Sequence, residues 1–204
     1  MSLIQIEVAM LKAVALASAV KDIRTYLNGV AVNVTRGGDV ILVATDGHRM
    51  HVGRLTAATE AQECTVIIPS DTIKRALAGN PKGSATIELY RDQGDDWQLG
   101  LVPFKHEGVY PDWRRVIPRE FSDLRMPPIN GKYLGDVGEA AALLGDKLRT
   151  LQVNNAGSSG LLIRIAARPS FFAVMMPQRP TETIRKDPGH PWHEMEAVKV
   201  PAWV

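Results

Sequence analysis

The chain has 204 residues, 45% of them hydrophobic and 23% charged, with a formal net charge of +2 and a pI of about 8.7. That length and apolar content suit one or two domains with a real buried core, and exclude a disordered tail. No run is long and apolar enough for a membrane-spanning helix, and the mildly basic balance permits nucleic acid as a partner without requiring it.

The first segment, "MSLIQIEVAMLKAVALASAV", is interrupted by Glu7 and Lys12 and has no basic start, so it reads as folded chain and not as a signal peptide. Within it, Val8, Leu11, Ala15 and Ala19 share one face at helical spacing, which predicts a helix over 8–20. "GVAVNV" and "VILVAT" flank the turn "TRGGD" (35–39) as two strands, and "MHVGRL" follows as a third. The single cysteine, Cys64, lies beside "TVIIP"; it rules out an internal disulfide and suits a reducing cytoplasm, the expected location. "SDTIKRALAG" (70–79) predicts a second helix, with Ser70 as its cap, Ile73 and Leu77 on one face and Gly79 at its end. "ATIELY" and "WQLGLV" flank the turn "RDQGDD" (91–96), and a closing strand is expected near "KHEGVY". "KYLGDVGEAAALLG" (132–145) predicts a third helix through Tyr133, Val137, Ala140 or Ala141, and Leu144. "TLQVN" and "GLLIRIA" surround "NNAGSSG" (154–160), and "SFFAVMMP" closes the series.

The turns recur about 60 residues apart, each after a helix. The unit is therefore strand–helix–three strands, used three times, and the fold class is α+β with antiparallel sheets and helices on one face. The pattern by itself names no function.

Chemistry-bearing residues are few. Asp46 and His48 in "VATDGHRM" stand at i,i+2, which on a strand would put them on one face as an Asp–His pair. No nucleophile motif, phosphate loop or catalytic cysteine context accompanies them. His48 and His51 are spaced i,i+3, poor for one metal on a strand. His190 and His193, near Glu194 and Glu196, lie in the proline-containing tail. No enzyme, cofactor or resident metal is expected; a metal-dependent hydrolase built on Asp46 and His48 is the remote alternative.

Four motifs then appear in order: "IRTYLNGV" (23–30), "VATDGHRM" (43–50), "YPDWRRVIP" (110–118) and "FFAVMMPQR" (171–179). Together, on this repeat, they resemble the bacterial beta sliding clamp, the processivity subunit of DNA polymerase III. Residues 1–118 resemble its complete middle domain of two half-modules, and 126–180 the second half of its last domain. Residues 119–125 are then a linker and 181–204 a tail containing Trp192 and Trp203. Nothing resembles the family's first domain or the first half of its last.

The resemblance implies a DNA-clamp fold and a non-enzymatic docking role in replication or repair. It also implies an apolar pocket that takes short linear peptides of polymerases and other partners. Carried over motif by motif, that pocket would use Leu27, then Thr45, Gly47, His48, Arg49 and Met50, then Pro111, Arg115 and Val116. Val174, Met176, Pro177, Gln178 and Arg179 complete it, with Gln178 standing where the family usually has Met. The residues agree: methionines beside a proline give adaptable apolar surface, and Arg49 and Arg115 offer donors to a peptide. The family's helices face the DNA backbone. The corresponding cations here are Lys12, Lys21 and Arg24, then Lys74, Arg75 and Lys82, then Lys147 and Arg149, and any contact should be weak and sequence-independent. The unpaired third half-module predicts a homo-oligomer, a dimer first, with a tetrameric ring as the form that restores the family's helix count. The rival reading is a stand-alone peptide-binding clamp mimic that never encircles DNA.

Overall fold

A computed structural model describes residues 3–55, 63–81, 83–91, 96–106, 108–122 and 126–179. In chain order the elements are β1 (Leu3–Glu7), α1 (Val8–Ala15), β2 (Gly29–Val34), β3 (Val40–Thr45), β4 (Arg49–Leu55), β5 (Cys64–Pro69), α2 (Ser70–Gly79) and β6 (Thr86–Arg91). They continue with β7 (Trp97–Leu99), β8 (Val102–Phe104), α3 (Gly131–Leu143), β9 (Leu151–Asn155), β10 (Leu161–Ile165) and β11 (Phe171–Met175).

The strands make two antiparallel sheets, ordered β1-β6-β7-β8 and β5-β2-β3-β4-β11-β10-β9. Two features of that order govern everything else. The first is an exchange: β1, ahead of α1, pairs with β6 of the second unit, while β5, ahead of α2, pairs with β2 of the first. β1 alternates as a half-buried strand must, whereas β5 is buried on both faces over Val66, Ile67 and Ile68. Ile4 and Ile6 of β1, and Val66 and Ile68 of β5, are sealed under the helices. The second is a seam, where β4 of the first unit pairs with β11 of the third and the larger sheet runs on into the third unit.

The period-2 pattern divides the core between the two faces of the large sheet. Val30, Val32, Leu42, Ile163 and Phe171 face the helices. Ala31, Val43, Met50, Val52 and Val174 face the other way, where Tyr110, Trp113 and Ile117 of the segment after β8 cover them. Along β4, Gly53 leaves room for α1: a Cβ there would overlap the Met10 thioether.

The sequence located these elements well, with four differences. α1 stops at Ala15 instead of residue 20, since the chain turns away at 16–24 and Ala19 N–H bonds to Leu27 O. Ser70 opens α2 but is not its cap; Pro69 holds that position without a side-chain bond. "WQLGLV" spans β7, a turn at Gly100, φ 56°, and the start of β8, so the closing strand is Val102–Phe104, and the described residues of 105–110 form none. Finally, 126–130 ahead of α3 form no strand, so the third unit presents a helix and three strands among the described residues.

Candidate functional site

The opening motif folds into the β3–β4 hairpin. Gly47, at φ 91°, supplies the left-handed turn that a side chain would resist. The Asp46 carboxylate accepts the backbone N–H groups of His48 (2.9 Å) and Arg49 (3.0 Å), and Thr45 Oγ accepts that of Gly47 while donating to Arg49 O. Asp46 is therefore spent on turn structure. It forms no Asp–His pair with the His48 ring, which is exposed and makes no hydrogen bond among the described residues. Among them there is also no cluster of metal-binding side chains; the pair His190 and His193 lies outside the described residues, as does Lys82.

Arg49 is buried, and its guanidinium is a tie and not a free donor. It donates to Asp136 of α3 and to Leu16 O (2.8 Å), and it stacks 4.4 Å from the Tyr133 ring centre. Its Nε lies 3.2 Å from the Asp46 carboxylate without hydrogen-bonding to it. The hairpin, the end of α1 and the third unit are thus fastened at one cation.

Register makes the pocket. β4 and β11 align Val174 with Met50 and Met175 with Arg49, and Met176 N–H continues the ladder to His48 O at 2.8 Å. Met50 and Val174 then point away from the helices, side by side, as the floor of a cavity of about 230 Å³. Leu27, Thr45, Gly47, His48, Pro111, Asp112, Trp113, Val116 and Met176 line it around that floor. Of the residues expected at the pocket, Leu27, Thr45, Gly47, His48, Arg49, Met50, Pro111, Val116, Val174 and Met176 line this one cavity. Arg115, Pro177, Gln178 and Arg179 are not among the lining residues; Gln178 instead donates its N–H to Pro128 O. Arg24, Tyr26, Asp112 and Trp113 join the lining unannounced, although all four stand inside the quoted motifs. Arg24 lines this cavity and not the helix-side cleft, and its guanidinium chelates Asp22 at 2.8–3.0 Å. Those hydrogen bonds hold the Asp22 carboxyl down at about 2.

Behind the floor, His51 sits inside the seam. Its Nδ1–H donates to Ala13 O at 2.8 Å, which leaves Nε2 as a buried acceptor without a partner, and its ring meets Phe171 edge-on at 5.3 Å. Burial is the main cause that lowers its pKa to about 4, so it is neutral at ordinary pH.

A larger cleft, about 970 Å³, opens on the helix side between the segment after α1, the start of α2 and α3. It gathers Lys21, Lys74 and Arg75 of the expected cations, adds Lys105 and Lys132, and holds Asp71 and Asp136 as counter-charges. Lys12 and Lys147 are exposed outside its lining, and Arg149 pairs with Glu139 at 3.3 Å.

Comparison with known proteins agrees with this architecture. Residues 5–90 match the family model described as DNA polymerase III beta subunit, central domain. The beta sliding clamp of Synechococcus elongatus is 35% identical over 149 residues, 69% of this chain and 37% of that protein. That of Caulobacter vibrioides is 30% identical over 145 residues, 67% and 39% of the two. The chain thus spans less than two fifths of the length of these curated relatives. Among solved structures, the DNA polymerase III beta subunit of Thermotoga maritima superposes with a TM-score of 0.70 at 17% identity, covering 89% of this chain and 66% of that one. The DNA polymerase sliding clamp of Pseudomonas aeruginosa gives 0.67 at 20% identity, covering 88% and 67%. Motifs, family model, relatives and fold converge, and the chain belongs with the bacterial beta sliding clamps, of which it carries a part.

Proposed function

We propose that this chain is a non-enzymatic docking protein of DNA replication or repair, in which the seam pocket takes short linear peptides from a polymerase or another partner. The observation that carries this reading is the β4–β11 register, which sets Met50 and Val174 together as an apolar floor in a cavity that Met176 also lines. Both halves of the pocket come from one chain, so a peptide can bind whether or not the protein encircles DNA. That feature also suits the clamp-mimic reading, and duplex retention separates the two. In our reading residues 1–118 act as one paired-unit domain and 126–180 as a third unit that supplies Val174 and Met176 to the pocket. The helix-side cleft offers Lys21, Lys74, Arg75, Lys105 and Lys132 to phosphates, without an element suited to base edges, so any DNA contact is electrostatic and sequence-independent. No cofactor takes part.

Titration with a fluorescent Gln-Leu-x-Leu-Phe peptide tests the docking role. The expected affinity is micromolar, about −8 kcal/mol. Met176→Ala should weaken it by about 1–2 kcal/mol through lost apolar contact. Folded protein that ignores the peptide at high concentration would remove the docking function.

A further inference from the structure

The exchange between the first two units sets a rule that the third unit leaves unmet. In each, the strand after the helix is covered on its outer edge by the strand that leads the other unit: β2 by β5, and β6 by β1. β9 is the corresponding strand of the third unit, and it ends its sheet. Its pairing shows which groups are left over. Ala156 N–H bonds to Gly160 O, so 156, 154 and 152 face β10, while 151, 153 and 155 face outward. Ser122 N–H reaches Asn155 O at the far end, and the outward backbone groups of Leu151 and Val153 have no partner among the described residues. The side chains repeat the pattern. Val30, Val32, Ile87 and Leu89 are buried on strands flanked by exchanged strands, whereas Leu151 and Val153 are only partly covered.

We propose that the β9 edge pairs with a second copy of this chain, two third units completing between chains the exchanged-strand domain that the first two units complete within one. This rests on the clamp reading only for its purpose; the geometry comes from the internal repeat. That repeat also fixes the register. Ser70 N–H, opening α2, bonds to Asn28 O, and Val8 N–H, opening α1, bonds to Ala85 O. The same step for Gly131 sets Leu151 against Ile129 of the second copy and Val153 against Pro127 of the second copy. Pro127 accepts from Val153 N–H through its carbonyl and lacks only the return donor. Pro128 faces the other way, as its carbonyl already does in bonding Gln178 N–H, and there a missing N–H costs nothing. An edge that is flat, apolar and unpaired is otherwise an aggregation hazard, and a closed two-fold pairing removes it.

Light scattering on the full chain should give twice the chain mass at high micromolar concentration. Val153→Pro, which deletes the outward N–H, should give the single mass. Hydrogen exchange on the unaltered protein tests the same edge without a variant. The Leu151 and Val153 amides should slow roughly 100-fold or more at concentrations where the dimer forms, and lose that protection on dilution. A monomer at all concentrations, a dimer in which those two amides exchange freely, or a folded Val153→Pro that stays dimeric would overturn the proposal. Peptide binding read on the same samples reports on the docking function separately, because the seam pocket is complete within one chain.

Discussion

β2 and β9 occupy the same place in their units and live in different surroundings. Each follows a helix and begins a three-strand run, yet Val30, Val32 and Val34 are sealed while Leu151 and Val153 are half open. Nothing in the two strands' own composition demands this; both are apolar on alternate residues. The difference is the neighbouring strand: β5 lies along the outer edge of β2, and no described strand lies along the outer edge of β9. A strand is only as buried as what is laid against it, and in this fold that cover comes from another unit.

The sharpest way to break the comparison is to truncate matching side chains. Ile68→Ala removes a fully buried contact that β5 brings over β2, and should cost about 2–5 kcal/mol in urea unfolding. Val153→Ala, at dilutions where the chain is alone, should cost about 1 kcal/mol or less, because the site is already open to water. Equal losses would mean that β9 is covered after all.

The seam that joins the two regions has its own signature in pH. His51 is neutral in the fold, with its pKa lowered to about 4, whereas in the unfolded chain it returns to the ordinary value near 6.5. The unfolded state therefore binds the extra proton first as pH falls. Stability should be full above about 6.5 and decline towards about 4, by roughly 3 kcal/mol in all. His51→Leu should flatten that slope in urea titrations across the window. An unchanged slope would place the acid sensitivity elsewhere.

The smallest effect concerns the helix side. Lys74 and Arg75 line the cleft beside Lys105 and Lys132, and Asp71 lies only 3.7 Å from Lys74 between exposed side chains. Replacing both Lys74 and Arg75 with Ala should reduce the log–log salt slope of duplex binding by about 2, at about 0.9 per phosphate contact. His48→Ala should leave DNA affinity as it was while weakening the peptide. A reversed outcome would exchange the roles of the cleft and the pocket.

The sequence alone carried the local architecture, because turn chemistry and side-chain period act over a few residues. β2, β3 and α2 fall on the spans read from "GVAVNV", "VILVAT" and "SDTIKRALAG". The four motifs also held most of the pocket, including Arg24, Tyr26, Asp112 and Trp113, whose place in the lining was present in the quoted stretches but unmarked. What the sequence could not express is pairing at a distance. Strand patterns state that an edge exists, not which edge it meets; that is settled by burial summed over the whole sheet. So Arg49, legible as a donor for a peptide, is instead consumed by Asp136, 87 positions along the chain, once β4 meets β11. For the same reason the exchange of β1 and β5, and the edge it leaves on β9, belong to the tertiary structure alone.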